Sequence, residues 1–430
     1  MLTVKRFEAR DPVTLLDTTA KCGCLRRIVP SMRAAANTHL KHRSIKCLEL
    51  FTGAGGLALG THLAGFEHVA LLEWNSDACR TLRQNAEARV LPRVEKWDVI
   101  ETDVREVEFE RFGDLDVISG GPPCQPFSIG GKHSGFDDGR NMIPQFCRAI
   151  REVRPRAFIM ENVKGLLRPR FETYFSYTLL SLSYPTIGAK QNESWTDHLT
   201  RLEKAHTSGK FNDVHYHVVF RLLNAADYGV PQTRQRVFVV GFRSDVSVEW
   251  NFPEPTHDLT SLLRQQYATG EYWERHAIKR PKVLSMPSNV SQLPLIEPEK
   301  GLAPWRTVRD ALKGLPDPTS KRSGPVEFLN HQFIPGARAY PGHIGSPLDL
   351  PAKTLKAGDH GVPGGENMIA FADGTVRYFT VREAARMQTF PDEWRFEGAW
   401  SEAMRQLGNA VPVDLARVIA TSVAHRLLSE

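Results

Sequence analysis

The sequence is short of cysteine, and the few cysteines it has are spread out. Its 430 residues include six, at Cys22, Cys24, Cys47, Cys79, Cys124 and Cys147. Thiols this sparse are typical of a reducing compartment and argue against a disulfide framework. The Cys22-Gly-Cys24 pair has no second pair at zinc-site spacing, so we expect no metal.

Long apolar runs are also missing. No stretch approaches the roughly 18–20 residues of a membrane span, and the N-terminal MLTVKRFEARD lacks the apolar core of a signal peptide. Hydrophobic residues make up 41% and charged residues 24% of the chain, as in soluble proteins that bury a sizeable core. We therefore expect a cytoplasmic protein without a membrane partner, long enough for two domains.

Positive charge is concentrated at the N-terminus. Residues 1–46 hold ten Lys or Arg against three Asp or Glu, a net +7 compared with +6 for the whole chain. Two interpretations of this basic arm, residues 1–44, stay open. In the first, the arm is a solvated tail, or the start has been mis-assigned upstream of Met32. In the second, the arm is a segment that touches nucleic acid.

Beyond the arm, strand-like runs alternate with helical patterns. The strand-like runs lie at 45–51, 68–73, 115–119, 156–160, 217–223 and 236–242. The helical patterns lie at about 76–88, 142–153, 171–183 and 412–428. This alternation predicts an α/β fold with a doubly wound, mostly parallel sheet whose ligands bind beyond the carboxyl ends of the strands.

The texture of the sequence changes after residue 253. Residues 254–376 carry 14 of the 28 prolines and 12 glycines, with one short helix expected at 306–314. We predict a catalytic domain from 45–253 and 404–430, and a smaller loop-rich recognition domain with its return segment at 254–403. Residues 185–213 form a polar insertion to which the sequence assigns no role.

A glycine-rich turn follows the first strand. LELFTGAGG places Gly53, Gly55 and Gly56 there, where glycine lets the backbone approach a ligand and the helix N-terminus offers free N–H groups. Glu73, at the end of the second strand, can hold ribose hydroxyls, and Asp103 can accept from an adenine amine. The spacing is not that of a dinucleotide fingerprint and favours a nucleoside such as S-adenosylmethionine. A tight turn with two surface acids is the alternative.

Three reactive groups are expected at the same edge of the sheet. Cys124 follows a strand in SGGPPCQPFS, where the flanking prolines restrict the backbone. Glu161 directly follows the strand RAFIM. Arg234 and Arg236 open the last strand two residues apart, so both side chains are expected on one face. A thiol, a carboxyl group and a guanidinium then meet beside the glycine turn, although this spacing alone proves no reaction.

These blocks, in this order, resemble the cytosine-C5 DNA methyltransferases of bacterial modification systems. The matching blocks are FTGAGG, GGPPCQPFS, GFDDGRN, ENV, QTRQR, VREAARMQTFPD and QLGNAVP, with KTL at 353–355 as a short Thr-Leu signature. The resemblance covers about 45–253 and 377–430, and residues 254–376 occupy the place of the family's variable target-recognition region. It implies a Rossmann-like class I methyltransferase fold that uses S-adenosylmethionine.

The resemblance also implies a covalent mechanism and a set of site residues. Cys124 would add to C6 of a flipped-out cytosine while Glu161 holds N3 and the exocyclic amine. Arg236 would steady the cytosine O2 and Glu161, with Arg234 as the second candidate. The implied cofactor residues are Phe51, Gly53, Gly55, Gly56, Glu73, Trp74, Asp103, Pro123 and Asn409. The residues expected to touch DNA are Ser128, Gly130, Thr354, Lys356 and Arg338.

Three functions compete at this point. They are cytosine methylation of duplex DNA in a restriction-modification system, the same chemistry on transfer RNA, and DNA binding without catalysis. The size of the 254–376 region favours DNA, because a specific reader has to fill the major groove. The presence of Cys124, Glu161 and Arg236 argues against an idle regulator. The expected partners are duplex DNA and a cognate restriction endonuclease that acts on the same site, and the active form is expected to be a monomer.

Overall fold

Seven strands form the main sheet. The computed structural model describes residues 44–123, 141–246, 249–281, 301–319, 328–357 and 367–429. Within these ranges the strands are β1 (Ile45–Leu50), β2 (Phe66–Glu73), β3 (Val99–Glu101), β4 (Val117–Gly120), β5 (Ala157–Val163), β6 (Tyr216–Asn224) and β7 (Gln235–Arg243). The basic arm up to residue 43 lies outside the described residues, as do Cys124, Ser128 and Gly130.

The order of the strands is β3-β2-β1-β4-β5-β7-β6. The first five strands run parallel, and β7 runs antiparallel to both β5 and β6. The predicted α/β fold with a mostly parallel sheet is therefore confirmed. The order reverses between β1 and β4, and ligands of such sheets bind at this reversal, outside the carboxyl ends of the strands.

The helices of the described residues cover both faces of this sheet and continue past it. They are α1 (Gly56–Leu63), α2 (Ser76–Glu87), α3 (Ile143–Val153), α4 (Glu172–Ser183), α5 (Trp195–Ser208), α6 (Leu259–Leu263), α7 (Glu271–Arg275), α8 (Val308–Leu312), α9 (Val381–Met387), α10 (Trp400–Asn409) and α11 (Val413–Leu428). Four predicted helices correspond to α2, α3, α4 and α11. The insertion 185–213 contains α5. No helix among the described residues is long and apolar enough to cross a membrane.

Alternating side chains of the strands build two apolar layers. The first layer includes Leu48, Leu50, Ile118, Phe158 and Met160 from the strands and Phe146, Ile150, Tyr174 and Phe175 from α3 and α4. The second includes Ile45, Cys47, Val117, Ile159 and Val240 from the strands and Leu57, Leu415, Ile419 and Val423 from α1 and α11. The inner strands β1, β4, β5 and β7 are mostly buried on both faces, so they read in the sequence as nearly continuous hydrophobic runs.

Two glycines of α1 let the C-terminal part of the chain return onto the sheet. A Cβ on Gly60 would lie 2.3 Å from the Cβ of Ala416, and one on Gly56 would lie 2.2 Å from the carbonyl oxygen of Val411. Because real Cβ contacts are longer, only glycine permits α11 and the 410–412 segment to pack this closely. The return brings Asn409 back towards the glycine turn.

Residues beyond β7 form short elements. Strands β8 (His257–Asp258) and β9 (Ala303–Pro304) pair with each other, and β10 (Ser346–Pro347), β11 (Met368–Ala370) and β12 (Val376–Tyr378) form a small three-stranded sheet. Residues 43–430 cluster as one compact unit. A third apolar cluster joins Ala58 of α1, Val308 of α8 and Met404 of α10. The domain boundaries at 253/254 and 403/404 therefore stay predictions.

Candidate active site

The functional residues meet at one edge of the sheet. The carboxyl ends of β1, β2, β4 and β5 point to this edge because these strands run parallel. Strand β7 is antiparallel and therefore begins there, with Arg236 opposite Val163 at the end of β5. The start of β7 and the carboxyl ends of β1, β2, β4 and β5 therefore lie at the same edge of the sheet.

Glu161 and Arg236 form a buried ion pair at this edge. Glu161 Oε1 lies 2.9 Å from Arg236 Nε, and their side chains are 9% and 12% exposed. Burial raises the pKa of the Glu161 carboxyl, and the positive charge of Arg236 opposes that rise. Oε1 is itself buried and has no aligned hydrogen-bond donor among the described residues, so the ion pair with Arg236 is its main contact there. The predicted proximity of Glu161 and Arg236 is present.

The backbone just before Cys124 is held on two sides. Asn162 Nδ2 donates to the carbonyl oxygen of Pro122 at 3.1 Å, and the Met142 N–H donates to that of Pro123 at 3.1 Å. A Cβ on Gly121 would lie 3.1 Å from Glu161 Oε2. The sequence reasoning assigned no role to Gly121 or Asn162, although both belong to the blocks GGPPC and ENV.

Arg234 has different partners from Arg236. It is completely buried and donates to the carbonyl oxygens of Leu355 at 3.0 Å, Gly408 at 2.6 Å and Ala410 at 2.9 Å. It precedes β7, so the alternation of side chains within a strand does not govern it. These bonds tie three segments together. The positive charge of Arg234 also opposes the rise in the pKa of Glu161, and the catalytic role predicted for Arg234 stays a prediction.

Glu73 is the acceptor beside the glycine turn. Its Oε2 accepts from the Gly53 N–H at 2.7 Å, and its Oε1 accepts from the N–H groups of Trp74 at 3.0 Å and Asn75 at 2.8 Å. Burial raises the pKa of this carboxyl, while the hydrogen bonds from Asn75, Gly53 and Trp74 oppose the rise. Three backbone donors therefore hold Glu73 in one orientation at the end of β2.

The space around Glu73 suits a nucleoside. Trp74 is 73% exposed and offers an open aromatic face. A Cβ on Gly53 would meet no atom within 4 Å, and Gly53 has a φ of 56°. Phe51 has a φ of 57° at the same turn. The buried Glu73 carboxylate, the exposed Trp74 ring and the turn at Gly53 lie close together, because Trp74 follows Glu73 and the Gly53 N–H donates to Glu73.

The surroundings of the other predicted cofactor residues point less directly to a bound ligand. Gly55 has a φ of 92° and caps α1, and Gly56 packs on Val411. The carboxylate of Asp103 binds the Arg105 side chain, which lowers the pKa of Asp103. Pro123 and Asn409 are exposed. Their contacts with a cofactor stay predictions.

Residues 353–356, called here the KTLK segment, lie against the start of β7. Thr354 Oγ1 donates to the carbonyl oxygen of Thr233 at 2.7 Å, and the Leu355 N–H donates to Gln232 Oε1 at 3.0 Å. The Lys356 side chain is exposed, as is that of Arg338. The segment is thus bonded to Gln232 and Thr233, just before β7 begins, while its contacts with DNA stay predictions.

No group of three or more His, Cys, Asp or Glu that could hold a metal ion occurs within the ranges that the structure describes.

Comparisons with known proteins identify the family of this chain. The model of the family C-5 cytosine-specific DNA methylase matches residues 45–184 and 196–425. Type II methyltransferase M.Eco47II of Escherichia coli is 31% identical over 397 residues, which cover 91% of this chain and 81% of that protein. M.NgoMIV of Neisseria gonorrhoeae is 30% identical over 387 residues, 89% of this chain and 98% of that protein.

The fold also has counterparts among solved structures. A DNA modification methyltransferase encoded within an E. coli prophage shares it at a TM-score of 0.53 and 22% identity, over 90% of this chain and 100% of that one. The S. pombe Dnmt2 methyltransferase gives a TM-score of 0.50 at 16% identity, over 89% of this chain and 98% of that one. At such identities the likeness shows the fold alone.

Proposed function

This chain belongs to the C-5 cytosine-specific DNA methylase family and is a DNA cytosine-5-methyltransferase, and on that premise we propose its donor, mechanism and target. We propose that it moves the methyl group of S-adenosylmethionine to C5 of a flipped-out cytosine in a specific duplex sequence, with Cys124 as the nucleophile. The observation that carries the proposal is the buried Glu161–Arg236 pair beside the fixed backbone of Pro122 and Pro123.

The glycine turn fits S-adenosylmethionine, which supplies an electrophilic methyl group when bound. Glu73 would accept from the ribose hydroxyls, because its carboxylate already has a fixed orientation. Trp74 would cover the adenine face. Phe51, Gly53 and the other glycines of the turn would line the cofactor, and Asp103, Pro123 and Asn409 are the outer candidates.

Cytosine C5 is too weak a nucleophile to take a methyl group directly, so the ring has to be activated. The thiolate of Cys124 adds to C6, which forms an S–C6 bond and moves electron density onto C5. Glu161 binds N3 and the exocyclic amine. Because burial raises the pKa of its carboxyl, Glu161 is suited to hold a proton against N3 as negative charge develops there. Arg236 would steady O2.

The covalent intermediate is then resolved. Once C5 carries the methyl group, a base removes the C5 proton, and that electron pair restores the C5=C6 double bond. The S–C6 bond breaks in the same process and returns the thiolate of Cys124. A cytosine stacked in a duplex cannot reach the sheet edge, so the base has to leave the stack.

DNA recognition is assigned to the residues beyond β7. Residues 328–348 contain no Asp or Glu and carry three exposed apolar side chains, Phe333, Tyr340 and Ile344. Arg338 lies between them, and the fixed KTLK segment contributes Thr354 and Lys356. Such a surface suits a polyanion with apolar base edges. Ser128 and Gly130 are proposed to contact DNA from outside the described residues.

The test is labelled methyl transfer from S-adenosylmethionine to mixed duplex DNA and, in parallel, to transfer RNA, followed by digestion to nucleosides. Label in 5-methyldeoxycytidine is expected, and mapping the methylated sites then gives the recognition sequence. Label only in 5-methylcytidine would move the function to RNA. Cys124→Ser is expected to abolish transfer while DNA binding remains measurable, and retained turnover would remove Cys124 from the mechanism.

The relatives are called Type II methyltransferases, which supports a role in a restriction-modification system for this protein too. DNA methylated by the enzyme would then resist an endonuclease that cuts the mapped sequence. Cleavage of fully methylated DNA by every endonuclease specific for that sequence would argue against the pairing.

A further inference from the structure

The polar insertion 185–213 contains a helix that packs on α4. The family model leaves out residues 185–195 and matches the rest of the insertion. Helix α5 begins at Trp195 in this insertion, and Ser194 caps it by accepting from the Asp197 N–H at 3.1 Å. The contacts of this 14-residue helix identify the residues that it supports.

Helix α5 packs on α4 through aromatic rings. The ring of Trp195 lies 6.1 Å from that of Tyr174 and 5.8 Å from that of Tyr177, and the two tyrosine rings are 5.9 Å apart. His198 Nε2 lies 2.6 Å from the carbonyl oxygen of Ile187 and therefore donates to it. Nδ1 of His198 then accepts from the Tyr177 hydroxyl at 2.9 Å. The hydroxyl of Tyr177 thus points into the insertion.

The hydroxyl of Tyr174 contacts the other side of α4. It accepts a hydrogen bond from Asn141 Nδ2, and both side chains are buried. Asn141 Oδ1 in turn accepts from the Ile143 N–H at 3.3 Å, so the amide spans the first turn of α3. Tyr174 therefore fixes the position of the residues that begin α3.

Those residues are bonded to the backbone that leads to Cys124. The N–H of Met142, next to Asn141, donates to the Pro123 carbonyl oxygen at 3.1 Å. Pro123 immediately precedes Cys124. A continuous set of contacts thus runs from Trp195 through Tyr174, Asn141 and Met142 to Pro123.

We propose that Tyr174, supported by Trp195 of the insertion, is a positioning residue for methyl transfer. It holds Asn141 and Met142, and through the Met142 N–H it holds the carbonyl oxygen of Pro123, the last described residue before Cys124. This inference rests on the proposed function, because it requires Cys124 to be the nucleophile. Tyr174 itself does not touch the reacting atoms.

Two tyrosine variants separate this role from packing. Tyr174→Phe keeps the ring and removes the bond to Asn141, whereas Tyr177→Phe keeps the ring and removes the bond to His198. Both variants lose a hydroxyl that hydrogen-bonds on the same helix, so their melting temperatures should fall by similar amounts. Tyr174→Phe is expected to lower kcat by about 3- to 10-fold, the effect of one lost hydrogen bond, with unchanged KM for DNA and for S-adenosylmethionine. Tyr177→Phe should leave kcat unchanged.

The decisive readout is the rate at which Cys124 bonds to duplex DNA that contains 5-fluorocytosine. Fluorine at C5 cannot leave as the proton does, so the covalent complex accumulates and can be counted on a denaturing gel. Tyr174→Phe is expected to slow its formation by the same factor as kcat. Equal rates for the two tyrosine variants, or a change in KM alone, would overturn the proposal.

A double-mutant cycle and an insertion variant complete the test. If Tyr174 acts through Asn141, the Tyr174→Phe/Asn141→Ala double variant should be no slower than Asn141→Ala alone, and fully additive losses would contradict this. Trp195→Ala should slow adduct formation in the same direction as Tyr174→Phe, and an unchanged rate would remove the insertion from the proposal. A wild-type protein that forms no adduct and methylates no DNA would refute the proposed function instead.

Discussion

Two glutamates at the ends of parallel strands occupy corresponding places but different electrostatic surroundings. Glu73 ends β2 and Glu161 lies near the end of β5, and both residues are buried. Burial raises the pKa of each carboxyl. Three backbone N–H groups hold Glu73, whereas the guanidinium of Arg236 accompanies Glu161.

The difference matches the two tasks of the sheet edge. Backbone N–H groups have fixed positions, so they hold the Glu73 carboxylate rigidly. A rigid carboxylate suits a residue that orients a ligand. The Glu161 carboxyl is held by a side-chain ion pair, and burial raises its pKa, which suits a group that holds a proton. This contrast agrees with the proposal that Glu73 orients the cofactor and that Glu161 takes part in the chemistry.

The largest expected effect is that of Glu161→Gln. Glutamine keeps the shape of the side chain but cannot hold or release the proton, so the single-turnover rate of methyl transfer should fall by about 10²- to 10⁴-fold. The affinity for S-adenosylmethionine should stay near that of the wild type. Rapid-quench kinetics measure the rate, and a near-normal rate would remove Glu161 from the chemistry.

Glu73→Gln should produce the complementary result. The amide nitrogen of glutamine would face one of the three backbone donors, so the side chain can no longer satisfy all of them. The affinity for S-adenosylmethionine should fall by about 10- to 100-fold, as for a lost hydrogen bond to a charged group. The rate at saturating cofactor should change little. Titration calorimetry measures the affinity. A fall mainly in the rate would contradict the different roles proposed for Glu73 and Glu161.

The pH dependence of the rate tests the role of Arg236. If Glu161 acts with its proton, the rate falls as pH rises through the pKa of Glu161. The charge of Arg236 lowers that pKa, so Arg236→Gln should move this fall to higher pH. Lys164→Met, which removes an exposed cation bonded to Gln235, is the control and should move it little. A shift to lower pH in Arg236→Gln would contradict the assignment.

The smallest effects are expected from two glycines. Gly121→Ala places a Cβ 3.1 Å from Glu161 Oε2, so the rate should fall by a few-fold without loss of cofactor affinity. Gly53→Ala meets no neighbour but has a φ of 56°, a conformation that costs a residue with Cβ about 1–2 kcal/mol, so cofactor affinity should suffer instead. Weaker cofactor affinity in Gly121→Ala together with a slower rate in Gly53→Ala would contradict the proposed separation of cofactor binding from chemistry at the sheet edge.

The sequence was sufficient to predict the meeting of Glu161 with Arg236. Each lies at the boundary of a hydrophobic run, and strand boundaries in a doubly wound sheet collect at its edges. It was not sufficient for the hydrogen-bond partners of Arg234. Arg234 lies before β7, and its bonds to Leu355, Gly408 and Ala410 join segments up to 176 residues apart.

The sequence by itself determined the order of elements, the glycine turn and the family blocks, because local periodicity and turn chemistry act over a few neighbouring residues. Only the tertiary structure decided that β7 runs antiparallel and starts beside Glu161. It also decided that Tyr174 bonds to Asn141, and that α5 of the insertion packs behind them. Contacts between distant segments depend on how whole layers pack, and no pattern within one segment records them.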